Sequence, residues 1–286
     1  MSSLFDFDIR PDRYAVMGNP IAHSKSPAIH AMFAKQTGQR IEYTTILVDV
    51  GGFAQAVGNF AASGGKGLNV TVPFKQEAWA LVDSRSARAE RAGAVNTIKI
   101  ERGGMLYGDN TDGIGLVTDL TTNNGCAIAS RTVLVIGAGG AARGVLEPLL
   151  NQQPSALVIA NRTPDRAVEL AGQFRDLGSI VGCGFKELAS QRFDVVINAT
   201  SASLHGEVPD ISPDVLRADT LCYDMMYGVG PTAFMRWCLE HAAQRVVDGL
   251  GMLVEQAAES FLIWRGVRPQ TTPIIAAMRQ SLAADA

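Results

Sequence analysis

The chain has 286 residues, enough for two domains at the usual size of roughly 100–200 residues each. Apolar residues make up 47% and charged residues only 19%, and 25 Lys and Arg against 28 Asp and Glu leave a net charge of −3. That balance offers no basic field for nucleic acid and no polybasic stretch for a membrane surface, and no run approaches the roughly 18 apolar residues of a membrane span.

Residues 1–12 carry acids and lack the apolar core of a secretory signal. Residues 14–17 read as a short apolar strand. Residues 26–37 read as a helix, with Pro27 in its first turn and Gly38 at its end. The pattern continues with a strand at 41–48, a helix at 53–62, a strand at 68–72 and a helix at 75–82. Strands at 95–100 and 105–107 flank Glu101-Arg102-Gly103-Gly104, a hairpin signal. A helix follows from 112 to about 122, and Asn123-Asn124-Gly125 is the boundary loop.

A second alternation then begins. Strands are expected at 132–136, 157–160, 194–198, 220–223 and 245–247. Helices are expected at 140–150, 164–174, 232–241, 250–264 and 272–284. Strands interleaved with helices imply an α/β fold with mainly parallel sheets. The cysteines, Cys126, Cys183, Cys222 and Cys238, are scattered, without C-x-x-C or metal-ligand spacing. They read as buried small hydrophobes that suit a reducing cytoplasm, and no metal site is expected.

The strand at 132–136 runs into Gly137, Ala138, Gly139, Gly140, Ala141 and Ala142, then a helix. This is G-x-G-x-x-A. The first Gly makes a tight turn, the second admits a pyrophosphate close to the backbone, and the third small residue lets helix pack on strand. The helix start then offers free N–H groups to phosphate. In NAD-binding units an acid usually ends the next strand and holds the ribose 2′-hydroxyl. Here that strand ends in Asn161-Arg162-Thr163, with Arg166 one turn on. No carboxylate repels a 2′-phosphate, two guanidinium groups can pair with one, and Thr163 can donate a hydroxyl. The pattern points to NADP rather than NAD.

The first half carries polar clusters at strand ends: Ser24 and Ser26, then Asn69, Thr71 and Lys75, then Asn96, then Asn110, Thr111 and Asp112. Ligands of open α/β sheets bind outside the carboxyl ends of strands, so these groups are placed to converge. Hydroxyls and amides suit a substrate rich in hydroxyls, and a lysine suits a carbonyl or carboxylate.

These residues resemble the shikimate dehydrogenase family. The resemblance is carried by Gly18-Asn19-Pro20, Ser24-x-Ser26-Pro27, Asn69-Val70-Thr71-x-Pro73-Phe74-Lys75, Ala94-Val95-Asn96-Thr97 and Asn110-Thr111-Asp112-Gly113. It continues through the glycine loop, Asn161-Arg162-Thr163, Asn198-Ala199-Thr200-Ser201, Asp224-Met225-Met226-Tyr227, Asp248-Gly249-Leu250-Gly251-Met252 and Gln256. It spans nearly the whole chain in order. It implies NADPH-dependent reduction of 3-dehydroshikimate to shikimate.

By the same resemblance, Ser24 and Ser26 bind the substrate carboxylate, and Thr71, Asn96, Asp112, Tyr227 and Gln256 line the rest of the pocket. Lys75 and Asp112 form the catalytic pair. Gly137 to Ala141 hold the pyrophosphate, Asn161, Arg162 and Arg166 the adenosine phosphate, and Met225 and Gly249 flank the nicotinamide. Ala87 departs from the family, whose members often carry an acid in that stretch. Hydride addition builds negative charge on the ketone oxygen. A cationic donor at roughly 2.6–3.2 Å stabilises that charge and can deliver a proton. An ordinary lysine, with a pKa of about 10.4, is charged at neutral pH.

Blander readings exist for each residue taken singly. Lys75 reads as a solvated helix-start lysine, Ser24 and Ser26 as capping hydroxyls, Asp112 as an N-cap, and Tyr227 as a packed aromatic. Leu250, Leu253, Ala257 and Phe261 form an apolar stripe that reads as core. The four histidines receive no role. The expected architecture is a substrate domain over residues 1–111, a Rossmann-type NADP domain over 112–248, and helices over 249–286 that return to the first. A monomer or homodimer is expected. Rival functions are a quinate/shikimate dehydrogenase using NAD and a non-catalytic NADP-sensing regulator.

Overall fold

The computed structural model describes residues 10–188, 191–241 and 243–284. Most of the amino-terminal stretch judged to lack a secretory signal lies outside them.

Two six-stranded sheets follow one another along the chain. The first contains β1 (Asp12–Gly18), β2 (Ile41–Leu47), β3 (Gly65–Val70), β4 (Ser84–Arg85), β5 (Thr97–Ile100) and β6 (Leu106–Asp109). Their order is β2-β1-β3-β5-β6-β4, parallel except where β5 pairs antiparallel with β3 and β6. The β5–β6 hairpin turns where expected, with Gly103 and Gly104 at φ 90° and 87°. Its helices are α1 (Ser26–Thr37), α2 (Phe53–Ala62), α3 (Lys75–Leu81) and α4 (Ala87–Ala92).

The second sheet contains β7 (Thr132–Ile136), β8 (Ala156–Asn161), β9 (Ile180–Gly184), β10 (Val195–Asn198), β11 (Leu221–Asp224) and β12 (Arg245–Asp248). The order is β12-β11-β10-β7-β8-β9, parallel throughout. The chain starts at β7, builds outward to β9, then returns to β10 on the other side of β7. The resulting switch point between β7 and β10 is where such sheets open a crevice for a ligand. Helices α6 (Gly140–Leu150), α7 (Pro164–Gly172) and α8 (Ala233–Glu240) cover its faces, with Ala142 fully buried where α6 meets the sheet.

Helix α5 (Asp112–Thr118) joins the two halves and packs on both α6 and α9 (Leu250–Arg265). Gly115 permits the second contact: a Cβ there would lie 2.8 Å from Gln256 Cβ. Overpacking of that kind costs about 1–3 kcal/mol. The helix was expected to run to about residue 122. Instead it passes into a single π turn, Asp119–Asn123. The buried Asp119 carboxylate accepts from the Tyr223 hydroxyl at 2.7 Å and from Asn123 Nδ2 at 2.9 Å, which fixes the widened turn.

Helices α9 and α10 (Thr272–Ala284) pack on α1 in one core with Ile29, Phe33, Leu250, Val254, Ala257 and Phe261. Three of the four stripe residues of α9 are thus core, while Leu253 is partly buried and lines a cavity. All four cysteines are buried and free.

Candidate active site

Lys75 begins α3, and its carbonyl accepts from Val95 N at 2.9 Å, tying the helix start to the segment that leads through Asn96 into β5. Asp112 begins α5. Neither blander reading survives. Lys75 Nζ reaches Asp112 Oδ2 at 2.5 Å, with both side chains mostly buried. The N-cap of α5 is Thr111, and Asp112 turns its carboxylate inward. The other oxygen, Oδ1, accepts from Asn96 Nδ2 at 2.8 Å. Each carboxylate oxygen therefore has its own donor, and the ion pair is oriented rather than merely close.

Behind this pair lies a buried network of hydroxyls and amides. Asn96 Oδ1 accepts from Thr111 N and Thr97 Oγ1, both at 2.9 Å. Thr97 Oγ1 lies 2.7 Å from Ser260 Oγ, which accepts from Asn69 Nδ2 at 3.0 Å. The Tyr43 hydroxyl donates to Asn69 Oδ1 at 2.7 Å. Buried polar groups satisfied in this way hold one geometry. Ser260 and Tyr43 were not anticipated, because each bonds a residue remote in sequence.

The ion pair sits in a cavity of about 350 Å³. Ser24, Ser26, Thr71, Asn96, Tyr227 and Gln256 line it with Lys75 and Asp112, so all the expected substrate-side residues meet there. Val16 of β1, Val70 at the end of β3, and Met252 and Leu253 of α9 supply apolar wall. Ser26 is the first residue of α1, not its cap. Lys25 holds the cap position, and Ser24 Oγ accepts from Ser26 N at 3.3 Å. Burial, with the Asp248 charge adding to it, raises the Tyr227 pKa, so its hydroxyl is a neutral donor. Met225 and Gly249, from the ends of β11 and β12, also line this cavity, which thus draws on both sheets. A Cβ on Gly249 would fall 2.2 Å from Met225 O.

The nucleotide side fits a dinucleotide by its backbone. Gly137 donates its N–H to Ala160 O at 2.8 Å, continuing the β7–β8 ladder, and its φ of 106° then makes the tight turn after β7. Gly139 caps α6. A Cβ built on Gly139 or Gly140 meets nothing within 4 Å, so both glycines border open space at a helix start. A second cavity, of about 650 Å³, lies at the ends of β8 and β9. Asn161 and Arg162 line it, while Thr163 and Arg166 do not. Asn161 Nδ2 donates to Thr163 O at 2.9 Å, and Thr163 caps α7 without a side-chain bond. Asp224, buried at the end of β11, accepts from Asn198, Ser203 and Thr232 and so pins the chain just before Met225. Its pKa is raised by burial, which those donors oppose.

Of the histidines, His30 is fully buried, stacked on Tyr43 at 4.2 Å, and among the described residues neither ring nitrogen has a hydrogen-bond partner. Burial pushes its pKa down to about 3. Among the described residues no group of His, Cys, Asp and Glu could hold a metal ion, and no helix is long and apolar enough to cross a membrane.

Residues 16–98 match the family described as shikimate dehydrogenase substrate binding domain, residues 119–206 that of shikimate / quinate 5-dehydrogenase, and residues 249–279 the shikimate 5′-dehydrogenase C-terminal domain. The chain is 62% identical over 268 residues to a shikimate dehydrogenase (NADP(+)) of Alkalilimnicola ehrlichii, covering 94% of this chain and 98% of the relative. It is 56% identical over 272 residues to the enzyme of the same name from Nitrosococcus oceani, covering 95% and 96%. The crystal structure of shikimate 5-dehydrogenase from Thermus thermophilus, solved with NADP(H) and shikimate, is similar at a TM-score of 0.84 and 32% identity, covering 95% of this chain and 100% of that one.

Proposed function

The chain belongs to the NADP-dependent shikimate dehydrogenase family, and from that premise we propose how its own residues reduce 3-dehydroshikimate to shikimate. NADPH supplies the hydride. Lys75, held in place by Asp112, donates a hydrogen bond to the ketone oxygen, stabilises the charge that forms there and delivers the proton. Asp112, aligned by Asn96, fixes the ammonium and takes part in binding the ring hydroxyls. Ser24 and Ser26 hold the carboxylate, and Thr71, Tyr227 and Gln256 hold the remaining hydroxyls. Met225 and Gly249 border the nicotinamide, Gly137 to Ala141 the pyrophosphate, and Asn161 and Arg162 the adenosine phosphate. Thr163 and Arg166, which do not line the second cavity, contribute least.

The observation that carries this reading is the Lys75–Asp112 pair inside a cavity lined by seven further hydroxyl, amide and phenol side chains, Asn69 among them. We assign residues 1–111, with the helices of 249–286, to the substrate domain and 112–248 to the NADP domain. The shared core of α1, α9 and α10 supports that division. The reading extends to a cytoplasmic enzyme acting as a monomer or homodimer; the four buried free thiols suit a reducing compartment.

Steady-state rates with shikimate and quinate, each with NADP and NAD, test the assignment. Shikimate with NADP is expected to give the highest kcat/KM. Preference for quinate with NAD contradicts it, and NADPH binding without turnover points to a regulator. Lys75→Ala is expected to lower kcat by at least about a hundredfold with folding intact.

A further inference from the structure

The cavity at the end of β8 carries a second cation that no sequence motif announced. Asn161, the last residue of β8, is registered against Gly184, the last residue of β9. Parallel neighbours lie about 4.8 Å apart, so the residues that follow the two strands leave the sheet side by side. After β8 these are Arg162 and Thr163; after β9 they are Phe185 and Lys186. Arg162 and Lys186 line the same cavity. Both are exposed, and neither has an ion-pair or hydrogen-bond partner among the described residues. The adjacent acid, Glu187, is turned to its own loop, where its carboxylate accepts from Gly184 N at 3.1 Å. The other acids on the lining, Glu207 and Asp210, belong to the later loop that also brings His205. Arg166 does not line the cavity, despite its place one turn after Asn-Arg-Thr.

We infer that Lys186, with Arg162, grips the ribose 2′-phosphate of NADP, and that Lys186 outweighs Arg166 in setting the preference for NADP over NAD. This rests on the cofactor site proposed above. A 2′-phosphate presents three acceptor oxygens. The planar Arg162 fork takes two, and the compact Lys186 ammonium suits the third. Arg162 and Lys186 repel each other across one lining, and neither is ion-paired with the acids there among the described residues, so a dianion bound between them relieves that repulsion. The 2′-hydroxyl of NAD offers neither charge nor relief.

The test is calorimetric titration of the full chain with adenosine 2′,5′-bisphosphate and with 5′-AMP, for wild type, Lys186→Ala, Arg162→Ala and Arg166→Ala. Thermal melts check folding, which an exposed lysine does not govern. Lys186→Ala is expected to weaken the bisphosphate about five- to tenfold and to leave 5′-AMP within about twofold. Arg166→Ala is expected to change both by less than about twofold. Unchanged bisphosphate binding in Lys186→Ala, or equal weakening of both ligands, overturns the role of Lys186. If Arg162→Ala alone loses the bisphosphate, the cofactor site stands and only Lys186 falls. If no variant separates the two ligands, the cofactor reading of this cavity falls as well.

Discussion

The two sides of the cleft are built on opposite plans. On the substrate side the ion pair and the amides and hydroxyls behind it are already paired with one another. Lys75 is held by Asp112, Asp112 by Asn96, and Asn96 by Thr111 and Thr97. On the nucleotide side Arg162 and Lys186 stand exposed beside a larger cavity, without ion-pair partners among the described residues. The first side has its geometry before substrate arrives, as proton transfer to a defined oxygen requires. The second holds two cations that form no ion pair among the described residues and so can turn to an incoming phosphate.

Substitutions can break or sharpen this contrast, because damage to one side should not read as damage to the other. The largest effect is expected at Lys75→Ala, which lowers kcat by at least about a hundredfold and leaves NADPH affinity unchanged. Asn96→Ala comes next. It frees Asp112 and leaves the Thr111 N–H without its buried acceptor. A loss of about ten- to thirtyfold in kcat is expected, together with a lower Tm, while KM for NADPH stays put. Loss of NADPH affinity in either variant would erase the division between the two sides.

His30 tests the rigid side through pH. Its pKa in the fold, about 3, lies below the ordinary value of 6.5, so the fold holds it neutral. The stability this gives is complete above pH 6.5 and is lost as pH falls from 6.5 towards 3. The loss amounts to about 2 kcal/mol by pH 5. Asp119 and Asp224 act oppositely: burial raises both, so their contribution is present below 3.8 and lost as pH rises through their folded values. Denaturant melts from pH 7 to 5 should show the His30 loss, and His30→Phe, which keeps a ring against Tyr43, should flatten it. An equal slope in that variant would remove the histidine from the account. The smallest effect is at Lys186, where only ligands bearing a 2′-phosphate should respond.

The same contrast explains what was legible in the sequence. β7, α6 and the glycine turn fall where expected because a buried run, a positive-φ glycine and a helix start are local signals. β9 was missed: Ile-Val-Gly-Cys-Gly carries two glycines and reads as a loop until β8 pairs with it. With β9 went Lys186, whose placement depends on that pairing. β4 is two residues long and leaves no periodicity, and α4 was missed beside it. On the substrate side, Lys75, Asp112 and Asn96 were found through their motifs. Ser260 was not, since its partners Thr97 and Asn69 lie 163 and 191 residues away. The readings of Asp112 and Ser26 as caps failed because Thr111 and Lys25 occupy the cap positions.

The central claim is that Lys75 and Asp112 act as one unit on the substrate ketone. A double-mutant cycle in kcat over wild type, Lys75→Ala, Asp112→Asn and the double variant tests it most directly. If the pair is a unit, the double variant is no slower than Lys75→Ala alone, within about twofold. Losses that multiply would show two independent contributions and contradict the account.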